Sequence, residues 1–331
     1  MNQSGLTEWP SGAPEPHYPL DQPKARNIVL RTHNAGNPTM SDVTEQTNIF
    51  RLTRDLKNAA RALSDAEARF LVDAYYMMQR DRIRAANQTD SLARAEEPNE
   101  IMAWFADQRE TLEKQVARAL DAYSGASVVG KWARSIKGIG PIISAGLLAH
   151  IDISKAPTAG HIYSFAGLIP GVAWEKGQKR PWNAKLKTLC WKVGESFVKV
   201  SGYDDDVYGH VYAERKALET AANERGAFAE QAEAMLKAKK FGDDKKAKAI
   251  YLTGKLPPAH IHARAKRYAV KLFLSAYQEV AYFERYGVLP PRPWIIEKGG
   301  HAHQFAVPHA HEVAGLEEAM KAAGPRVPIR V

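Results

Sequence analysis

Apolar residues recur at helical spacing along most of the chain and predict an all-α fold. A first helix is expected over Ser41–Ala62. Ser64-Asp65-Ala66-Glu67 then forms a capping box, in which a serine and a glutamate three residues apart satisfy each other's free backbone N–H groups, and it opens a helix reaching about Arg94. Phe70, Leu71, Ala74, Tyr75 and Met78 share one side of it. Pro98 ends that stretch, and a further helix is expected from Asn99 to about Ser124, striped by Ile101, Phe105, Leu112, Val116, Leu120 and Tyr123. Facing stripes of this length predict an antiparallel, coiled-coil-like arm over residues 41–125, and burying them across two copies makes a homo-oligomer the expected state.

Further on, Asn183 caps a helix whose inner stripe is Leu186, Leu189, Cys190, Val193, Phe197 and Val200. Tyr203-Asp204-Asp205-Asp206 opens another, running toward Lys240. Carboxylates at a helix start are favoured by the macrodipole and require no metal ion. The strongest helix follows Pro257-Pro258 and extends to about Tyr286, with Ile261, Ala265, Tyr268, Leu272, Ala276 and Phe283 along its packing side. His260, Arg264, Arg267 and Lys271 form a separate row on it, which predicts a cationic face for phosphates.

Between these parts lies Trp132-Ala133-Arg134-Ser135-Ile136-Lys137-Gly138-Ile139-Gly140-Pro141, which reads as helix, tight turn, helix. Gly138 and Gly140 bracket Ile139 where the backbone has little room, and Pro141 suits a first helical turn. Free backbone N–H groups and a helix N-terminus then point outward together, beside Arg134 and Lys137, in a geometry that suits a phosphate. This resembles the helix-hairpin-helix of DNA-binding proteins. A short helix over His161–Leu168 closes at Gly167, and a basic loop over 171–181 carries Trp174, Lys176, Lys179 and Arg180.

Composition sharpens the picture. The chain has 331 residues, 45% hydrophobic and 25% charged, the profile of a globular protein with two or three sub-domains. Its net charge is +9, and the segment from Lys131 to Lys199 holds eleven Lys or Arg against Asp152, Glu175 and Glu195, so a polyanion is the expected partner. A single cysteine, Cys190, excludes an internal disulfide and suits a reducing cytoplasm. No apolar run reaches the roughly 18 residues of a membrane span, so no membrane association is expected. Three His-x-His pairs, His260/His262, His301/His303 and His309/His311, invite a metal reading, yet no Cys-x-x-Cys or His-Glu-x-x-His pattern supports one, and no metal or other cofactor is expected. Residues 1–40 lack periodicity and are expected to be a disordered tail; 126–202 the hairpin domain; 203–297 a C-terminal helical region; 298–331 a loose His-rich tail.

The order Ser135-Ile136-Lys137-Gly138-Ile139-Gly140-Pro141, then Phe165-Ala166-Gly167-Leu168-Ile169-Pro170, then a basic loop, then Asn183-Ala184-Lys185-Leu186-Lys187 resembles the C-terminal domain of the DEDD, serine-type insertion-sequence transposases. The resemblance implies DNA as partner, and in that family a RuvC-like domain supplies metal-binding carboxylates while a serine in the loop after the Gly-Leu-x-Pro motif is the nucleophile. Here the segment before the arm is a short tail, and the loop has Trp174-Glu175-Lys176-Gly177 with neither Ser nor Thr through Asn183. The expectation is therefore a DNA-binding relative without strand-transfer chemistry of its own. It would use Arg134, Lys137, Gly138, Ile139, Gly140, Lys176, Lys179, Arg180, Lys185, Lys187, His260, Arg264, Arg267 and Lys271. One alternative is an active recombinase using Mg²⁺, with Ser164 or Ser196 replacing the absent nucleophile; another is a structural or RNA-binding subunit holding folded RNA.

Overall fold

The computed structural model describes residues 51–97, 99–170, 172, 174–238, 245–291 and 305–329. Among them are twelve α-helices and no strand, so the fold is all-α. In chain order the helices are α1 (Arg54–Ala60), α2 (Asp65–Arg94), α3 (Glu100–Ala126), α4 (Val128–Ser135), α5 (Pro141–His150), α6 (Ala159–Phe165), α7 (Ala184–Val200), α8 (Tyr208–Glu224), α9 (Ala229–Ala238), α10 (Lys245–Leu252), α11 (Pro258–Tyr286) and α12 (Leu316–Ala322). The expected tail over 1–40, the start of the helix expected from Ser41, and His301/His303 lie outside the described residues.

Local chemistry sets the helix ends. The Ser64 backbone N–H donates to the Glu67 carboxylate at 2.8 Å and the Glu67 N–H donates back to Ser64 Oγ at 3.3 Å, so the capping box opens α2. Asn99 Oδ1 accepts from Ile101 and Met102 and starts α3. Where one helix was expected from Tyr203 toward Lys240, the chain makes two, because Gly226 adopts a φ of +79° and stops α8.

The chain divides into two compact units. The described part of one consists of residues 78–97 and 99–115 with Arg51 and Leu52. Within it Arg82 Nε donates to Glu113 at 2.6 Å, and Arg109 pairs with Asp81 at 3.3 Å. The outer end of the expected stripe stays in solvent, with Ile101 71% exposed.

The other unit holds the main core. Its axis is α11, buried on nearly every side: Ala265, Ala269, Val270, Phe273, Leu274, Tyr277 and Val280 are each at most 1% exposed. The Trp132 ring of α4 stacks on Phe273 at 6.0 Å, and Phe197 of α7 and Tyr208 of α8 meet the same ring edge-on at 5.6 and 5.4 Å. Helices α7 and α8 approach so closely that a Cβ on Gly209 would stand 2.6 Å from the Phe197 carbonyl oxygen, so only glycine fits. Residues 305–329, expected to be loose, are packed instead. Val307, Val313 and Leu316 enter the core, Trp132 Nε1 donates to the Pro308 carbonyl at 2.8 Å, and Arg326 pairs with the buried Glu279 at 2.5 Å. Their apolar residues fill core positions that the histidines around them obscure in the sequence.

Candidate nucleic-acid interface

The hairpin forms as its residues dictate. Ser127 caps α4, and the turn passes through Gly138 at φ +92°, where a Cβ would meet Ser196 Oγ and Val200 Cγ2 at 3.3 Å. Both the positive φ and the close approach of α7 call for glycine here. Ile139 is buried at 3% exposure, so its side chain anchors the turn and offers no contact surface. Gly140 is different: its φ of −86° is open to any residue, it lies in solvent, and a Cβ there would meet nothing within 4 Å. Pro141 follows as the first residue of α5, and Ser144 Oγ donates to the Gly130 carbonyl at 3.1 Å, joining the two hairpin helices.

The hairpin's two cations are already engaged. Arg134 donates to the Asp121 carboxylate at 2.6 Å and to its carbonyl at 3.3 Å, fastening α4 to the end of α3. Lys137 pairs with Asp205 at 3.0 Å and lies over the Tyr203 ring at 4.7 Å. Lys137 in turn holds the Asp205 carboxyl below its ordinary range. Next to these, Asp206 is buried and accepts from the Gly209 and His210 N–H groups at 3.1 and 2.8 Å, which starts α8.

A second cationic group is arranged otherwise. Lys187 of α7, Arg267 and Lys271 of α11 and Arg180 of the basic loop act on one another electrostatically, and Glu219 is the one carboxylate that acts on Arg267. Burial, then Arg267 and Arg180, push the Lys187 amine below its usual range. Burial, then Arg267, do the same to Lys271. Burial and Arg264 lower Arg267, with Glu219 opposing. Aromatic rings support the cluster: Arg180 stacks over Trp174 at 4.8 Å, Lys187 over Trp182 at 4.3 Å, and Lys271 lies 5.4 Å from the Tyr163 ring centre. The loop closes on itself, since Gly177 turns at φ +97° and Trp174 Nε1 donates to the Gln178 carbonyl at 2.7 Å. Lys176 and Lys179 stand exposed on it. Lys185, two residues before Lys187, is turned away and pairs with Asp73 of α2.

The expected row along α11 is therefore divided. Arg267 and Lys271 join the cluster. Arg264 instead pairs with Glu219 of α8, which is 4% exposed, and donates to Gln231 at 2.9 Å. His260 is buried between Tyr251 and Gln231, each 3.1 Å from a ring nitrogen. These two residues correct the expectation of a solvent-facing row, because α8, α9 and α10 cover that end of α11. His262 bonds the Tyr212 hydroxyl at 2.7 Å and His309 bonds Ser135 at 2.9 Å, and no group of His, Cys, Asp and Glu among the described residues is arranged to hold a metal.

The candidate nucleophiles separate similarly. Ser196 Oγ donates to the Gly138 carbonyl at 2.5 Å and supports the turn. Ser164 is exposed on α6. Cys190 is fully buried, and burial pushes its thiol up to about 12, so it is an inert core residue. Tyr163 and Trp182 were missed in the sequence; the signal available was aromatic residues interleaved with basic ones around the loop.

A small helical domain with an open Gly-x-Gly-Pro hairpin and a carboxylate-poor cationic face belongs to the class of surfaces that suit a polyanion. Within it, residues 131–180 match the model of the Transposase IS116/IS110/IS902 family, a match that takes in the hairpin, α6 and the basic loop and supports a transposase domain there. No curated protein and no solved structure matched the chain. No helix among the described residues is long and apolar enough to cross a membrane.

Proposed function

We propose that this is a cytoplasmic DNA-binding protein derived from an insertion-sequence transposase, holding the phosphate backbone through the hairpin and the cationic cluster and performing no strand transfer by itself. The observation that carries the reading is the basic, aromatic-backed group of Arg180, Lys187 and Lys271 with Arg267, stacked on Trp174, Trp182 and Tyr163, in which burial first and neighbouring cations second lower the proton affinity of Lys187 and Lys271. Cations held close together raise a local positive potential that draws in an anion, and a phosphate chain is such an anion. The family match over residues 131–180, which includes Arg180 and the hairpin, supports DNA as that anion. Loss of chemistry is supported by a loop without a hydroxyl from Trp174 to Trp182 and by the use of Ser196 in the turn.

The test is fluorescence anisotropy with duplex DNA across a salt series, using wild type, Lys187→Ala/Lys271→Ala, and Lys185→Ala. The double variant should weaken binding and flatten the slope of log affinity against log salt by about two, at about 0.9 per phosphate contact. Lys185→Ala, which loses an ion pair with Asp73, should change the slope little. Equal slopes for wild type and the double variant would remove the reading. Incubation with supercoiled DNA and Mg²⁺ or Mn²⁺ should yield neither nicks nor covalent adducts; an adduct abolished by Ser164→Ala would restore an active recombinase.

A further inference from the structure

Residues 306–326 line a cavity that the nucleic-acid reading does not use. Its volume is about 600 Å³, within the range of sites that hold small organic molecules. The Ala306 N–H donates to the Val327 carbonyl at 2.8 Å and ties its two ends together, while α12 supplies Glu317, Met320 and Lys321 to the wall. Val307, Ala310 and Met320 are buried and make part of the lining apolar. Arg326 lines it as well, with its side chain 8% exposed. Glu279 and the Phe305 carbonyl engage its Nη1 alone, and a guanidinium carries further N–H donors. His309 is held through Nδ1, 2.9 Å from Ser135 Oγ. That hydroxyl gives its one proton to the Trp132 carbonyl at 2.8 Å, so His309 donates from Nδ1 and Nε2 is the ring nitrogen left for a ligand. The residue keeps this place at φ +52°, in the left-handed region that an L residue enters only where its surroundings hold it there. Among the described residues of the wall Glu317 is the one carboxylate, and it is paired with Lys321 at 2.8 Å.

A wall rich in donors and positive charge over an apolar lining suits a molecule with an apolar body and one anionic group. A little-exposed guanidinium gives such a group charge-assisted bonds, which are the stronger kind. We infer that this cavity binds a small amphipathic organic anion, its charged group on Arg326 and His309 and its apolar part against Val307, Ala310 and Met320. The inference goes beyond the nucleic-acid reading and stands without it, since none of these five residues belongs to the hairpin or to the cationic cluster.

The experiment titrates the full-length protein with 8-anilinonaphthalene-1-sulfonate, an anion that fluoresces in apolar surroundings, and with N-phenyl-1-naphthylamine, the same ring system without the sulfonate. The anion should bind this site about 10- to 100-fold more tightly than the uncharged probe, the worth of hydrogen bonds to a charged group. Ala306→Trp places an indole in the cavity and should remove one equivalent of bound anion, which separates this site from basic surface elsewhere. Glu317→Gln, at a side chain 44% exposed, removes the carboxylate of the wall. It should tighten the anion about 2- to 5-fold and leave the uncharged probe unchanged. If Ala306→Trp does not fold, Glu317→Gln decides alone. Equal affinity for the two probes, an equivalent retained in folded Ala306→Trp, anion affinity unchanged in Glu317→Gln, or no binding by wild type each overturns the inference. None of these outcomes bears on duplex affinity, which is measured separately.

Discussion

Replacing Arg264 by alanine separates a cation that builds the fold from one that serves a ligand. In sequence Arg264 and Arg267 look alike, one helical step apart on the same row. In the structure Arg264 is paired with Glu219, a carboxylate 4% exposed, and Arg264→Ala leaves that charge in a place water hardly reaches. Removing one partner of a buried ion pair costs about 3–5 kcal/mol. Glu219 keeps Arg215 at 2.7 Å, whose side chain is 37% exposed, so part of the loss is made good and about 2–3 kcal/mol is expected. For a chain of this size that corresponds to a fall in melting temperature of roughly 3–4 °C. Arg267→Ala removes a cation that lies between the repulsion of Arg264 and the attraction of Glu219, and it should leave the melting temperature within about 2 °C of wild type. The assay is thermal unfolding followed by circular dichroism, paired with anisotropy on the same preparations at a temperature where all variants are folded. Arg264→Ala should be unstable but bind duplex almost normally; Arg267→Ala should be stable but bind weakly. An Arg264→Ala protein with a wild-type melting temperature and reduced affinity would refute the assignment of this residue to the core.

Other consequences can be checked separately. Burial, aided by Arg69 and opposed by Asp73, lowers the His150 pKa to about 4, so the folded protein keeps this ring neutral while the unfolded chain protonates near 6.5. Stability is thus complete above pH 6.5 and lost as pH falls toward 4, by up to about 2 kcal/mol after allowing for residual solvent access, and urea midpoints across that range should flatten in His150→Leu. The Tyr208 hydroxyl is buried among aromatic rings with no hydrogen-bond partner, so Tyr208→Phe should leave stability unchanged or raise it by about 1 kcal/mol in urea unfolding; a clear loss would point to a partner for that oxygen. The exposed Ile101 and Trp104 of α3 favour self-association, and light scattering at micromolar concentration should give a mass above 36.7 kDa that falls toward it in Ile101→Glu/Trp104→Glu.

What the sequence made legible was local. The hairpin turn, the Ser64 and Asn183 caps and the order of helices around the hairpin depend on residues a few positions apart, and each is found where its chemistry places it. Partnerships across the chain were not legible. Arg264, Lys185 and Arg134 read as available cations because Glu219, Asp73 and Asp121 sit in other helices, and spacing along one helix carries no information about what packs on it. The face of α11 was misjudged for a related reason: a helix surrounded on nearly every side has no single apolar stripe, and Lys266 and Glu279, polar and buried, make its inner surface resemble an outer one. The cationic cluster itself was legible only as separate parts, the loop and the row on α11.

The contact between Trp132 and Pro308 joins residues 176 positions apart. During synthesis α4 emerges long before the segment that receives its indole N–H, so the hairpin's first helix waits with an unsatisfied donor and an open core until Val313 and Leu316 arrive. A stretch made long after the hairpin thus completes its support. A nascent chain cut before Pro308 would carry the basic residues of this surface without the packing that positions them.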